Sequence, residues 1–167
     1  MTSNKTYRLN YRRKREGKTN YKKRLILLQS RKPRLVIRRT NTQILTQIVK
    51  YAPDGDKVVV GFDSKNLKKM GWKYSAKNLL AAYLAGLTIG KKAKEKGVKE
   101  AIVDLGLQTP VAGSRLYATL KGAVDAGLII PCSEEVFPKK ERLEGQHIKK
   151  ESNMKKDFED LKKKITG

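Results

Sequence analysis

The chain has 167 residues, of which 38% are hydrophobic, enough for one domain with a real core and too few for two. Its formal net charge is +23, from 39 basic and 16 acidic side chains, so the molecule repels itself unless an anionic partner such as nucleic acid is present. One cysteine and one histidine exclude an internal disulfide and a Cys/His zinc cluster.

The N-terminal part of the chain is predicted to form a basic arm. The stretch RLNYRRKREGKTNYKKR, from Arg8 to Arg24, sets nine basic residues against the single acid Glu16. Its apolar surface is too small to offset the roughly 1–2 kcal/mol per residue that ordering a backbone costs, so we expect the isolated segment to be disordered. On RNA it would order by releasing counterions, with Tyr11 and Tyr21 free to stack on unpaired bases. A solubilising tail is the alternative, but such a tail has no use for aromatic residues.

Three strands are predicted after the arm. An apolar run over residues 25–28 predicts a turn or two of helix. The alternating pattern over residues 34–39 predicts a strand with a basic face, and residues 44–51 complete an antiparallel hairpin with it. A turn over residues 53–56 leads to a strand over residues 57–62. Its three consecutive valines predict a strand covered on both faces, near the middle of the sheet.

The remaining chain is predicted to supply three helices and one more strand. Ser75 is a candidate cap for a first helix, which ends at Gly97, and residues 101–105 then form a short strand in a parallel crossover. A second helix spans residues 114–126. In the last helix the apolar residues form one narrow stripe that must dock on its own domain or on a neighbour. These apolar residues are Met154, Phe158, Leu161 and Ile165.

The residues alone offer two other candidate sites. Asp63, Asp104 and Asp125 are the acids available to a metal-dependent nuclease on an α/β sheet, but their predicted positions do not converge, and ion-paired or solvated acids explain them better. Residues 113–115, Gly-Ser-Arg, could bind phosphate at a helix N-terminus, although ordinary helix capping is the simpler explanation. No transmembrane or signal segment is evident, so no membrane partner is expected.

Four segments carry a resemblance to a known family. They are RRKREGKTNY at residues 12–21, PRLVIRRTN at 33–41, NLLAAYLAGLTIG at 78–90 and LKGAVDAGLIIP at 120–131, with Phe137-Pro138 downstream. In this order they resemble large-subunit ribosomal protein number eighteen, the 5S rRNA-binding protein, in its archaeal and eukaryotic form. The chain length resembles the archaeal members.

This resemblance implies a fold and a function. The fold is an α/β body, a mixed sheet with helices on its faces, of ribonuclease-H-like topology without the catalytic site. The resemblance implies a cytoplasmic, non-enzymatic protein without cofactor or metal that takes part in translation. It also implies that the protein attaches 5S rRNA to the large-subunit rRNA in the central protuberance, beside neighbouring ribosomal proteins. No obligate homo-oligomer is expected. The expected divisions are an RNA-binding arm at residues 1–30, a 5S rRNA-binding domain at 31–138, and a charged linker with an amphipathic helix at 139–167.

The candidate rRNA-binding residues come from the arm and from the first strand. In full they are Arg8, Arg12, Arg13, Lys14, Arg15, Lys18, Thr19, Tyr21, Lys22, Lys23, Arg24, Arg31, Lys32, Arg34, Arg38 and Asn41. Cations would bind phosphates and tyrosine would stack, whereas the deep major groove of A-form RNA excludes side chains. Deleting residues 1–24 is expected to leave the fold intact and weaken RNA binding. A metal-dependent nuclease and a DNA-compacting basic protein are the alternative functions.

Overall fold

The computed structural model describes residues 8–145 and 153–167. Within these ranges no helix is long and apolar enough to cross a membrane. Two 3₁₀ segments, Ser64–Met70 and Glu134–Val136, were not predicted. The regular elements in chain order are α1 (Arg12–Arg15), α2 (Tyr21–Gln29), β1 (Arg34–Arg39), β2 (Ile44–Lys50), β3 (Lys57–Asp63), α3 (Leu79–Glu95), β4 (Ile102–Asp104), α4 (Arg115–Asp125), α5 (Lys140–Leu143) and α6 (Met154–Thr166).

The four strands form one mixed sheet in the order β3-β2-β1-β4. β1 pairs with β2, and β2 with β3, in antiparallel fashion, whereas β4 runs parallel to β1. These pairings confirm the predicted hairpins, the parallel crossover and the α/β class. Leu35 and Ile37 on β1 are fully buried in the core beneath α3 and α4, so the apolar alternation of this strand selects the face that the long helices cover.

The prediction that β3 lies near the middle of the sheet is wrong. β3 is an edge strand, and Val58 is 54% exposed. A bulge explains the run of valines, because Ile48 pairs with Val60 while Val49 pairs with Val58. Val59 is therefore an extra residue, and Val58 and Val60 face opposite sides of the sheet. The three valines thus accommodate an irregular edge and do not indicate burial on both faces.

α3 and α4 approach each other so closely that two glycines are required. A Cβ at Gly86 would overlap the Thr119 carbonyl oxygen, and one at Gly122 would overlap the Tyr83 carbonyl oxygen. Close packing of the two helices therefore explains Gly86 in α3 and Gly122 in α4. The predicted cap is wrong, since the Asn78 side chain and not Ser75 accepts a hydrogen bond from the Ala81 amide, at 2.7 Å.

The C-terminal helix α6 docks on its own chain. Its four stripe residues are each at most 5% exposed, which confirms the predicted amphipathic pattern. The Phe158 ring lies 5.7 Å from that of Tyr83 on α3, and the Tyr74 hydroxyl donates to the Asp157 carboxylate at 3.0 Å. Helix α6 is therefore part of the core that encloses α3.

Candidate nucleic-acid interface

The basic arm is partly helical in the complete chain. Asn20 begins α2 by accepting a hydrogen bond from the Lys23 amide at 3.1 Å, and α1 forms one turn at residues 12–15. Arg31, with a φ of 55°, follows the end of α2. The predicted disorder concerned the isolated segment, whereas the folded body supplies partners that the segment alone lacks.

A chain of five charged side chains connects the arm to the sheet. Arg24 on α2 donates two hydrogen bonds of 2.8 Å to the Asp56 carboxylate in the β2–β3 turn. Arg34 on β1 bridges the two acids, donating to Asp56 at 2.5 Å and to Asp104 at 2.7 Å. Arg38 also donates to the Asp104 carboxylate, at 2.9 Å, and to its backbone carbonyl. Three arginines thus share two carboxylates across the face of the sheet opposite α3 and α4.

The centre of this network is buried, whereas Arg24, Asp56 and Arg38 at its ends are partly exposed. The Arg34 side chain is only 3% exposed and that of Asp104 only 9%. The hydrogen bonds from Arg24 hold the pKa of Asp56 below its usual range, and the bond to Asp56 raises the pKa of Arg24. Of the predicted RNA contacts, Arg24, Arg34 and Arg38 therefore already have acidic partners, and they hold the arm and the sheet together.

Other predicted residues of the arm make only local, exposed contacts. Glu16 pairs with Arg12 at 3.5 Å and with Lys18 at 2.9 Å. The Arg13 Nε donates to the Thr19 hydroxyl at 3.0 Å, and Lys14 donates to a nearby asparagine side chain. Exposed ion pairs of this kind contribute about 0–1 kcal/mol each. RNA phosphates can therefore replace these contacts at little cost.

A further group of predicted cations makes no side-chain hydrogen bond or ion pair with any residue of the described ranges. This group is Arg8, Arg15, Lys22, Lys23 and Arg31. Lys32 differs, because it pairs with Glu100 at 2.6 Å, and Asn41 lies exposed in the β1–β2 turn. Within the part of the chain that the structure describes, the charge of these five cations is therefore not neutralised by an acidic side chain.

The two tyrosines of the arm lie together. The Tyr11 and Tyr21 rings are 5.3 Å apart with an interplanar angle of 52°, and Tyr11 is 75% exposed. Such a pair holds one ring against the other while it leaves an open aromatic surface on Tyr11. A base of single-stranded RNA can stack on that surface.

An open groove of about 720 Å³ separates the arm from the sheet. The arm contributes cations such as Arg13, Lys18 and Lys23 to one wall. The other wall comes from the uncovered face of the sheet and includes Val36 and Val49. The arm thus lies over the face of the sheet that the long helices leave open.

The acids considered for a nuclease do not form a site. Asp104 is held by Arg34 and Arg38, and Asp125 accepts from the Tyr83 hydroxyl at 2.8 Å and from Lys121 at 2.9 Å. Among residues 8–145 and 153–167, no three His, Cys, Asp or Glu side chains are grouped so that they could hold a metal ion. His147 lies outside the described residues. Asp104 and Asp125 are therefore held by neighbouring side chains, and Asp63 is the last residue of β3.

Sequence reasoning missed the role of Asp56 in attaching the arm to the sheet. Asp56 was read only as part of a turn, yet it receives the guanidinium groups of both Arg24 and Arg34. Val36 on β1 pairs with Asp104 on β4, which places Asp104 on the same face of the sheet as Arg34. The sequence alone does not reveal this contact, because it depends on the register between the two strands.

Comparisons with known proteins agree with a ribosomal assignment. Residues 5–100 match the family model described as "Ribosomal large subunit proteins 60S L5, and 50S L18". The chain is also 46% identical over 167 residues to "Large ribosomal subunit protein uL18" of Korarchaeum cryptofilum (strain OPF8). That alignment covers 96% of this chain and 86% of the relative.

Proposed function

Since the chain belongs to this family of large-subunit ribosomal proteins, we propose that it binds 5S rRNA and attaches it to the large-subunit rRNA in the central protuberance. Membership makes the chain a structural, non-enzymatic constituent of the large subunit of the cytoplasmic ribosome. We likewise propose that it contacts neighbouring ribosomal proteins of the central protuberance.

The observation that carries the proposal is an anchored arm with unneutralised charge. Arg15, Lys22 and Lys23 have no acidic partner among the described residues, whereas Arg24 fastens the same segment to Asp56 through two hydrogen bonds. A fixed helix places its cations at set spacings, so less entropy is lost when they meet RNA phosphates. The arm therefore combines preorganisation with free charge.

Preference for 5S rRNA would come from shape and from stacking. Cations that meet phosphates position an RNA but do not read its sequence. The exposed ring of Tyr11 can accept an unpaired base, which a continuous duplex does not offer. We therefore expect a folded RNA with accessible loop bases to bind more tightly than a plain duplex of equal charge.

Charge removal at matched positions tests this role of the arm. The variant Arg15→Gln/Lys22→Gln/Lys23→Gln removes three arm cations, and Lys94→Gln/Lys96→Gln/Lys99→Gln removes three exposed cations around the end of α3. For three lost phosphate contacts, the slope of log affinity for 5S rRNA against log salt should fall by about 2–3. The control triple should change this slope by less than about 1. Equal changes in both variants would show that only total charge matters and would refute the role of the arm.

These point variants are sharper than deletion of residues 1–24. Deletion also removes Arg24 and so breaks its two hydrogen bonds to Asp56. A loss of RNA binding after deletion would then combine lost contacts with a disturbed body. The three substitutions leave the network between Arg24, Asp56 and Arg34 in place.

A further inference from the structure

A second strongly basic surface lies away from the arm, around the connection from β3 to α3. Between Ser64 and Lys94 the sequence contains no acid. Part of this connection is the 3₁₀ segment Ser64–Met70, and its lysines are exposed. The exposed lysines of the whole connection are Lys65, Lys68, Lys69, Lys73 and Lys77.

A buried hydroxyl fixes this connection against the sheet. The Ser64 side chain, which is fully buried, accepts a hydrogen bond from the Ile44 amide at 2.9 Å and donates to the Ala76 carbonyl at 2.6 Å. Ile44 pairs with Arg39 across β1 and β2. The connection is therefore held at the end of the sheet where β1 finishes, while Asp56 and the attachment of α2 lie at the other end.

Two arginines extend the same basic surface. Arg115, the first residue of α4, donates to the Lys77 carbonyl at 2.9 Å, which sets its guanidinium beside the lysine-rich connection. The Gln108 side chain bonds both the amide and the carbonyl of Arg39, at 3.2 and 2.9 Å. Burial and the nearby charge of Arg39 lower the pKa of Arg115, so the two cations lie close enough to repel each other.

No acid of residues 8–145 or 153–167 forms an ion pair with this surface. Among the described residues, none of the five lysines, Arg39 or Arg115 makes an ion pair. Two of the described acids lie near the connection: Asp63, which ends β3, and Asp157, which accepts a hydrogen bond from the Tyr74 hydroxyl. Seven cations held on ordered backbone with so little opposing charge cost free energy that an anionic partner would recover.

We propose that this surface is a second RNA-binding site, which takes the phosphate backbone of an RNA other than the one held by the arm. The inference rests on the proposed function, because joining two RNAs requires two separate surfaces. Arg115 provides a fixed guanidinium and the lysines provide mobile cations, a combination suited to successive phosphates along a helix. The arm is attached at the end of the sheet near Asp56, and the second surface lies at the opposite end, near Arg39. Two RNAs can therefore bind at the same time.

The test uses the full chain already bound to labelled 5S rRNA. A 20-base-pair RNA duplex with a second label is then titrated, and its binding to the preformed complex is measured. Lys73→Gln/Lys77→Gln/Arg115→Gln removes three cations of the second surface, and Lys94→Gln/Lys96→Gln/Lys99→Gln is the matched control from the other end of α3. That end lies about 25 Å away, at 1.5 Å per residue of the helix.

The second-surface variant should weaken duplex binding at least about tenfold, and the control less than about threefold, with 5S rRNA binding kept by both. Equal weakening of duplex binding by both variants would overturn the second site. Tighter binding of polyglutamate than of the duplex to the wild-type complex would also overturn it, because it would indicate an acidic protein partner. If the first variant does not fold, Lys65→Gln/Lys68→Gln/Lys69→Gln on the exposed segment replaces it, with the same expectations. Failure of the wild-type chain to bind 5S rRNA would instead refute the proposed function, so the two failures are distinguishable.

Discussion

Replacing Asp56 by asparagine should loosen the attachment of the arm to the sheet. Asp56 receives two hydrogen bonds of 2.8 Å from Arg24 and one of 2.5 Å from Arg34. Hydrogen bonds to charged groups contribute about 1.5–3 kcal/mol when shielded from solvent. The Arg24 and Asp56 side chains are 31% and 27% exposed, and Arg34 keeps its bond to Asp104. We therefore expect the free energy of unfolding to fall by about 1–2 kcal/mol.

The matched control is Glu100→Gln, which makes the same chemical change at the pair between Lys32 and Glu100. That pair is 2.6 Å long, but both side chains are nearly half exposed, so its loss should cost about 0.5 kcal/mol or less. Both variants raise the net charge by one, so general repulsion cancels in the comparison. Urea unfolding at fixed salt measures the difference. An equal loss of stability in the two variants would refute the role of Asp56 as the attachment point of the arm.

The same pair predicts a dependence on pH. The pKa of Asp56 is lower in the folded chain than in the unfolded chain, mainly because Arg24 donates to it. The stabilisation is therefore present above about pH 4 and is lost as pH falls through the folded-state pKa. The stability difference between the wild type and Asp56→Asn should accordingly shrink below about pH 4, and a difference that grows on acidification would contradict this assignment.

Two further changes test the packing. Gly86→Ala should destabilise the fold by about 1–3 kcal/mol, because the added Cβ would overlap the Thr119 backbone. The control variant Gly61→Ala should cost much less, because the nearest atom to an added Cβ there is 3.7 Å away. Thermal unfolding of both variants measures the difference. Phe158→Ala should lower the free energy of unfolding by about 3–5 kcal/mol or release α6 from the core, because Phe158 is buried against Tyr83. Release of α6 would speed amide hydrogen exchange in residues 154–166, and the exposed-site variant Lys163→Ala is the control. Equal exchange rates in the two variants would contradict docking of α6 on α3.

Local patterns in the sequence were sufficient for most elements of the fold. The alternation of β1 and the apolar stripe of α6 each identify one buried face, and those faces are buried. The left-handed residue at the end of α3 follows equally from Gly97, whose φ is 73°. These features depend on residues close together in the chain, so a single sequence carries them.

Features that depend on distant residues were not predictable. The edge position of β3 follows from its pairing partners, and the register shift at Val59 becomes visible only beside Ile48 and Val49. Likewise, the sequence predicts Arg34 as an RNA-binding cation on the basic face of β1, whereas in the fold β4 and the β2–β3 turn place carboxylates against it. Residues that are 22 and 70 positions away in the chain decide its role.

The most direct test of the central claim is a salt titration of binding to labelled 5S rRNA, with transfer RNA and duplex DNA as competitors. With 6–10 phosphate contacts, affinity should fall about 10³–10⁵-fold between about 50 and 200 mM salt. The account predicts that 5S rRNA remains the preferred ligand at the higher salt, because shape and stacking persist when charge is screened. Equal affinity for all three nucleic acids at every salt concentration would contradict it and would leave only a non-specific basic protein.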